Sequence, residues 1–223
     1  RCGSGGLVAG LGSLDIGLPP ILKWARPDIR DRVVPQVLAG EKISALAVTE
    51  PGGGSDVANL QTRAVRDGEF YRVSGSKTFI TSGVRADFYT VAVRTGEPGF
   101  SGISLLLIEK GTPGFTVGRP LKKMGWWASD TAELFFDDCQ VPVGNLIGSE
   151  NMGFACIMGN FQNERLALAL MANMTAQLAL EESLKWARER EAFGKPIGKF
   201  QVIKHRLAEM ATALEVSREF TYR

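Results

Sequence analysis

Histidine and cysteine are scarce in this chain: one His (His205) and three widely spaced Cys (Cys2, Cys139, Cys156) among 223 residues. A single His excludes a histidine-based metal cluster within the chain, and three dispersed Cys exclude a disulfide scaffold or a zinc site. An excess of one charge sign is also missing, because 26 Lys plus Arg face 24 Asp plus Glu, a net charge of +2. Binding of nucleic acid through bulk charge is therefore excluded, and any phosphate has to be met locally. The longest run without charged or amide side chains falls well short of the ~20 residues that a bilayer requires, and no secretory leader opens the chain. No integral membrane segment is expected, and the protein reads as soluble and from a reducing compartment. An initiator Met is absent and the sequence stops at Arg223 inside a helical pattern, which predicts the middle part of a longer protein.

Glycine is abundant, 26 residues against a usual share of about 7%, which predicts many turns or a glycine-rich ligand loop. Three regions differ in period, and none repeats another. Residues 1–40 hold short helical pieces, with Pro19-Pro20 expected at a helix start and a helix over 28–38 ending before Gly40. They read as the end of an N-terminal helical domain. Residues 41–148 turn to short β-branched and aromatic runs: 44–48, 70–73, 77–81, 88–93, 103–108 and 132–136. Asp67-Gly68 is a hairpin signal, and strands at this spacing without helices between them predict an antiparallel β-barrel or sandwich. Residues 149–223 are helical from Gly153, interrupted at Gly194-Lys-Pro196 and helical again from Phe200. The run 166–172 is apolar nearly all round, which predicts burial among other helices as the start of a C-terminal bundle. The fold class is therefore α+β.

The densest motif is Ala47-Val-Thr-Glu-Pro-Gly-Gly-Gly-Ser-Asp56, which follows a strand. Backbone amides freed by glycine can approach a phosphate or a flat ring, with the Thr49 and Ser55 hydroxyls as further donors. An ordinary glycine-rich turn explains the segment equally well on its own. It is neither a P-loop nor a dinucleotide fingerprint, since no Gly-Lys-Ser/Thr follows and no helix opens after it. Gly3-Ser-Gly-Gly6 has no strand before it and carries no such reading.

This motif resembles the first hallmark segment of the acyl-CoA dehydrogenase family. Further segments agree in order and spacing: Gly75-Ser-Lys-Thr-Phe-Ile-Thr81, Lys123-Met-Gly125 with Ser129-Asp-Thr131, Glu164-Arg165, and Arg190-Glu-Ala-Phe-Gly-Lys-Pro196. Asn59 departs from the small residue usual in the family. The resemblance implies FAD as cofactor, with Leu46, Val48, Thr49, Gly54 and Ser55 against the flavin ring and the ligand thioester. Leu46 stands where some members have an aromatic residue. Phe79 falls at the aromatic position beside the isoalloxazine and Thr81 at the hydroxyl that hydrogen-bonds flavin N5. Period-2 alternation puts Phe79 and Thr81 on one strand face; a sheet core with Phe inside is the competing reading. Arg190, Phe193 and Gln201 match positions that reach the FAD of a neighbouring subunit, although by residue type alone Arg190 reads as a solvated helix-end cation. Ser55, Ser129 and Arg165 fall on the substrate side.

The resemblance further implies a carboxylate that removes the α-proton of an acyl thioester while the β-hydrogen leaves as hydride to flavin N5. In long-chain and isovaleryl-type members that carboxylate occupies the position of Glu164; in many others it comes from a later segment. On a 3.6 period Glu164 shares a stripe with Ala167, Leu168, Met171 and Leu178, and an apolar stripe raises a carboxyl pKa toward the working pH of a base. Arg165 projects about 100° away. A structural Glu paired with a cation from another helix is the alternative. The implied activity is an FAD-dependent acyl-CoA dehydrogenase forming trans-2-enoyl-CoA and passing electrons to an electron-transfer flavoprotein. An acyl-CoA oxidase and a non-catalytic flavoprotein of the same fold are the alternatives. A homo-oligomer, dimer or tetramer, in the bacterial cytoplasm or the mitochondrial matrix completes the expectation. Cys139 and Cys156 read as inert apolar residues, His205 as a surface or interface residue, and Trp126-Trp127 as loop packing or a contact patch.

Overall fold

A computed structural model describes residues 3–12 and 14–223; Cys2 lies outside them. The chain divides into two compact units, one formed by Gly6–Phe161 and the other mainly by Gln162–Arg223.

The first unit opens with three helices, α1 (Gly5–Leu11), α2 (Leu14–Trp24) and α3 (Pro27–Leu38). Pro27 stands at the start of α3, where a missing N–H costs nothing. Pro19 and Pro20 lie inside α2 rather than at its start. Packing overrides propensity there: Leu18 and Ile21 are buried in the core, and Gly17 lies so close to β1 (Ser44–Ala47) that a Cβ would sit 2.8 Å from the Ala45 nitrogen. The stretch Gly5–Trp24 is apolar and long enough by composition to cross a bilayer. Its described residues form the two short helices α1 and α2, and α2 applies its apolar side to the sheet.

Eight strands form one sheet: β1, β2 (Arg63–Asp67), β3 (Phe70–Thr81), β4 (Phe88–Arg94), β5 (Ile103–Glu109), β6 (Phe115–Pro120), β7 (Thr131–Pro142) and β8 (Leu146–Ile147). The order is β6-β7-β3-β2-β4-β5-β8, with β1 added beside β4. Among the described residues the path is open and no barrel closes. Most pairings are antiparallel, as expected, but β1 runs parallel to β4 from Ser44↔Phe88 to Ala47↔Val91, and β2 meets β4 in a single parallel bridge at Arg63↔Arg94. One face gathers Tyr71, Val73, Tyr89, Val91, Leu106, Leu134, Phe136 and Val141 into a core of the sheet's own. The opposite face of β4 and β5 packs Phe88, Ala92, Leu105 and Leu107 against residues of α2, α3 and the first turns of α4 (Gly153–Glu189). Because β4 and β5 are covered on both faces, their sequences are apolar almost without alternation. The hairpin at Asp67-Gly68 forms as expected, with Asp67 opposite Phe70 and Gly68 at φ 59°.

The second unit contains most of α4, a short hairpin of β9 (Glu191–Ala192) and β10 (Lys195–Pro196), and α5 (Gln201–Tyr222). Gly194, at φ 72°, turns the hairpin. Asn173 fastens the helices together: its Nδ2 donates to Thr221 Oγ1 at 2.9 Å, and Ser217 Oγ donates to its Oδ1 at 2.6 Å. Leu166 and Leu168, expected inside a bundle, are about half exposed.

Candidate active site

β1 delivers the chain into the glycine-rich loop. Glu50 and Gly53 exchange both backbone hydrogen bonds, N to O at 3.1 Å and 3.0 Å, closing a narrow turn over Pro51-Gly52. Residues 51–56 are exposed, and a Cβ on Gly52 or Gly53 would meet nothing within 4 Å, so the backbone here is open to approach. Gly54 lies under Thr49, with a Cβ only 3.1 Å from the Thr49 Cγ2. Leu46 is partly buried, Val48 is buried and Ser55 is exposed.

β3 runs alongside and is anchored to the same loop. Lys77 Nζ is fully buried and donates to Val48 O at 3.0 Å and to Glu50 Oε1 at 2.8 Å. Glu50 also accepts from Gln61 N at 2.6 Å and Thr62 N at 2.8 Å, and Thr78 N donates to Thr49 O at 2.9 Å. Burial pulls the Lys77 pKa down to about 8 against the stabilising carboxylate. At Glu50 burial pushes the carboxyl up, but the Lys77 ammonium and the hydrogen bonds outweigh it and the pKa ends below the usual value. Regular alternation would put Phe79 on the face of Lys77. Instead the register with β7 shifts between Lys77 and Ile80, Phe79 takes φ 57°, and the residue is 68% exposed. A positive φ is a genuine outlier for a bulky residue, and a bulge is the device that re-aims a side chain. The reading of Phe79 as sheet core is thereby overturned. Thr81 follows, half-buried and opposite Thr131.

Ser129 is buried in the loop before β7, its Oγ without a hydrogen-bond partner among the described residues. Lys123 Nζ holds that loop by donating to Ser129 O at 2.5 Å and Thr131 Oγ1 at 2.9 Å, and Trp127 Nε1 donates to Lys123 O at 2.7 Å. Met124 and Trp127 project into solvent.

In the second unit Glu164 lies on α4, half-buried, and Arg165 is exposed. Burial raises the Glu164 carboxyl to about 7, opposed by the Arg165 guanidinium. Its expected stripe is uneven, with Met171 and Leu178 partly buried and Ala167 and Leu168 exposed. Arg190 follows α4, and its carbonyl accepts from Ile197 N at 2.8 Å across the hairpin. Phe193 is 93% exposed at φ 52°, edge-on to Phe200 at 6.1 Å, and Gln201 opens α5. Cys139 and Cys156 are buried, and burial raises both thiol pKa values, that of Cys139 to about 11, in keeping with inert packing.

Two family models match: the acyl-CoA dehydrogenase middle domain over residues 45–139 and the acyl-CoA dehydrogenase C-terminal domain over 151–223. The chain belongs to the acyl-CoA dehydrogenase family. It is 40% identical over 208 residues to the cyclohexane-1-carbonyl-CoA dehydrogenase of Geobacter metallireducens, covering 93% of this chain and 55% of that protein. To the mitochondrial long-chain specific acyl-CoA dehydrogenase of Mus musculus it is 41% identical over 209 residues, covering 92% of this chain and 49% of that one. A probable acyl-CoA dehydrogenase from Mycobacterium abscessus superposes with a TM-score of 0.96 at 55% identity, covering 98% of this chain and 58% of its own. The chain thus spans about half the length of the curated relatives it matches.

FAD is the cofactor of acyl-CoA dehydrogenases, and the sheet unit fits a flat conjugated ring. An aromatic side chain forced outward at φ 57° stands on the same strand as Thr81, and the neighbouring glycine-rich loop leaves its backbone uncovered. The sequence reading assigned no role to Glu50 or Lys77. A signal was available: counting by twos from the inward Tyr71 and Val73 brings Lys77 to the buried face, and a buried Lys requires a carboxylate.

Proposed function

We propose that the full-length protein is an FAD-dependent acyl-CoA dehydrogenase that converts a saturated acyl-CoA to the trans-2-enoyl-CoA. The observation that carries the mechanism is Glu164, a half-buried carboxyl with its pKa raised to about 7. A base with a pKa near the operating pH takes a proton most effectively, and Glu164 is the residue that accepts the α-proton of the thioester. FAD, when bound, supplies the acceptor for the electron pair that leaves with the β-hydrogen. Leu46, Val48, Thr49, Gly54, Ser55, Phe79 and Thr81 form the surface that holds its ring, the Thr81 hydroxyl steadying the edge. Arg190, Phe193 and Gln201 serve the FAD of a neighbouring subunit, the planar guanidinium suiting a pyrophosphate. Ser55, Ser129 and Arg165 contribute to the acyl-CoA side.

The protein works as a homo-oligomer and delivers electrons to an electron-transfer flavoprotein, in the bacterial cytoplasm or the mitochondrial matrix. The position of the base favours long or branched acyl chains. Glu164→Gln in the full-length enzyme is expected to keep FAD bound and to lower kcat by on the order of 10²- to 10⁴-fold. Retention of full activity, measured as acyl-CoA-dependent dye reduction, would sink the assignment.

A further inference from the structure

We propose that the buried Lys77–Glu50 pair is a positioning device that locks the glycine-rich loop to β3 and, through the bulge that follows Lys77, holds Phe79 outward as part of the cofactor surface. The inference rests on the reading of that surface as the FAD site.

Glu50 lies in the Ala47–Asp56 motif and Lys77 in the Gly75–Thr81 segment, and each is a junction. Glu50 closes the loop turn with its own backbone, through Gly53, while its carboxylate gathers Gln61 N, Thr62 N and Lys77 Nζ. Lys77 joins that carboxylate to the carbonyl of Val48, the residue that follows β1, and so ties both the start of the loop and its turn to β3. The approach of these segments is enforced nearby. Gly75, at φ 146°, passes so close to Thr62 that a Cβ would stand 2.7 Å from its Cα, and Thr62 Oγ1 donates to Ser76 O at 3.2 Å.

The consequence for Phe79 follows from strand periodicity. Residues 77, 79 and 81 of a regular strand share a face, so a Lys77 drawn inward by Glu50 would carry the Phe79 ring inward with it. The register shift between Lys77 and Ile80 and the positive φ of Phe79 break that phase. Lys77 and Thr78 are then both buried while Phe79 faces out. Such a conformation persists only where its surroundings over-determine it, and the buried ion pair on one side and the Thr78 N to Thr49 O bond supply that constraint. The Lys77 side chain is fully buried and that of Glu50 nearly so, and both are occupied in bonds to one another and to backbone, so the pair acts through its neighbours.

The test uses the deflavinated full-length protein reloaded with FAD. Three variants are compared with wild type: Lys77→Met, which leaves Glu50 buried and unpaired, Glu50→Gln, and the double variant Lys77→Met/Glu50→Gln, which removes both charges and is the one best suited to fold. FAD dissociation constants are read from flavin fluorescence, and melting temperatures are taken with and without FAD. The double variant is expected to fold, to bind FAD at least tenfold more weakly, and to show a smaller rise in Tm on FAD addition than wild type. A pair with only a structural role would lower both melting temperatures together and leave the FAD-induced rise and the dissociation constant unchanged, which would overturn the inference while leaving the proposed function standing. Wild type that takes up no FAD at all would overturn the proposed function and the inference with it.

Discussion

At Glu164 the neutral form of the carboxyl is favoured by burial and the charged form by Arg165, and burial wins, giving a pKa of about 7. The sign of the resulting pH dependence follows directly. Only the deprotonated carboxylate accepts a proton, so kcat/KM of the full-length enzyme is expected to rise about tenfold per pH unit below 7 and to level off above it. A pH–rate profile checks this, and the Glu164→Gln variant is expected to lose the limb. A limb centred on the ordinary glutamate value of 4.5 would instead show an unperturbed base. The raised Glu164 carboxyl was partly legible in the sequence, because its helical stripe of Ala167, Leu168, Met171 and Leu178 is apolar, although Ala167 and Leu168 prove exposed. Phe79 was harder to read. A bulky aromatic between Thr78 and Ile80 fits a core strand by composition, and only the bulge, a three-dimensional response to a buried Lys77, turns it out.

At the scale of elements, the strands read correctly were those buried on both faces or bounded by sharp turns. β4 and β5 are nearly continuous apolar runs, whereas β6 (FTVGRP) has no fully buried residue and its arginine and proline conceal it, and β2 (RAVRD), mostly exposed, is signalled only by the Asp67-Gly68 turn that follows. β3 read as two strands because Gly75 divides the pattern, yet that glycine is what lets one long strand pass Thr62. Gly75→Ala therefore combines a clash with a backbone angle unsuited to a side chain. It is expected to destabilise the protein by about 2–4 kcal/mol, measured by urea unfolding. An unchanged midpoint would mean that β3 and the Thr62 segment are free to separate. Pro19 and Pro20 inside α2 show the opposite conflict, where close packing of Gly17 on β1 and burial of Leu18 and Ile21 overrule a helix-breaking pair. The 166–172 run shows the limit of an apolar pattern: it marks a helix made to be covered, while Leu166 and Leu168 remain half exposed in a unit of two long helices.

Over the whole molecule, the chain contains a sheet unit whose exposed loop and aromatic suit a flat cofactor and a helical unit that carries the raised-pKa carboxyl. The α+β class, the order of its parts and the family were legible because long collinear motifs sit at turns and strand ends, where backbone geometry narrows the choice of residue. The buried Lys77–Glu50 pair was not read, because its members lie 27 positions apart and their contact exists only once β3 lies against the loop. The central claim is that these parts, within the full-length protein, carry out the dehydrogenation of an acyl-CoA. The most direct measurement is an anaerobic titration of the full-length, FAD-loaded protein with saturated acyl-CoAs of increasing chain length, following the visible flavin absorbance. The account predicts that the absorbance bleaches with at least one of them, fastest for long or branched chains; tight FAD binding with no bleaching by any acyl-CoA would contradict it.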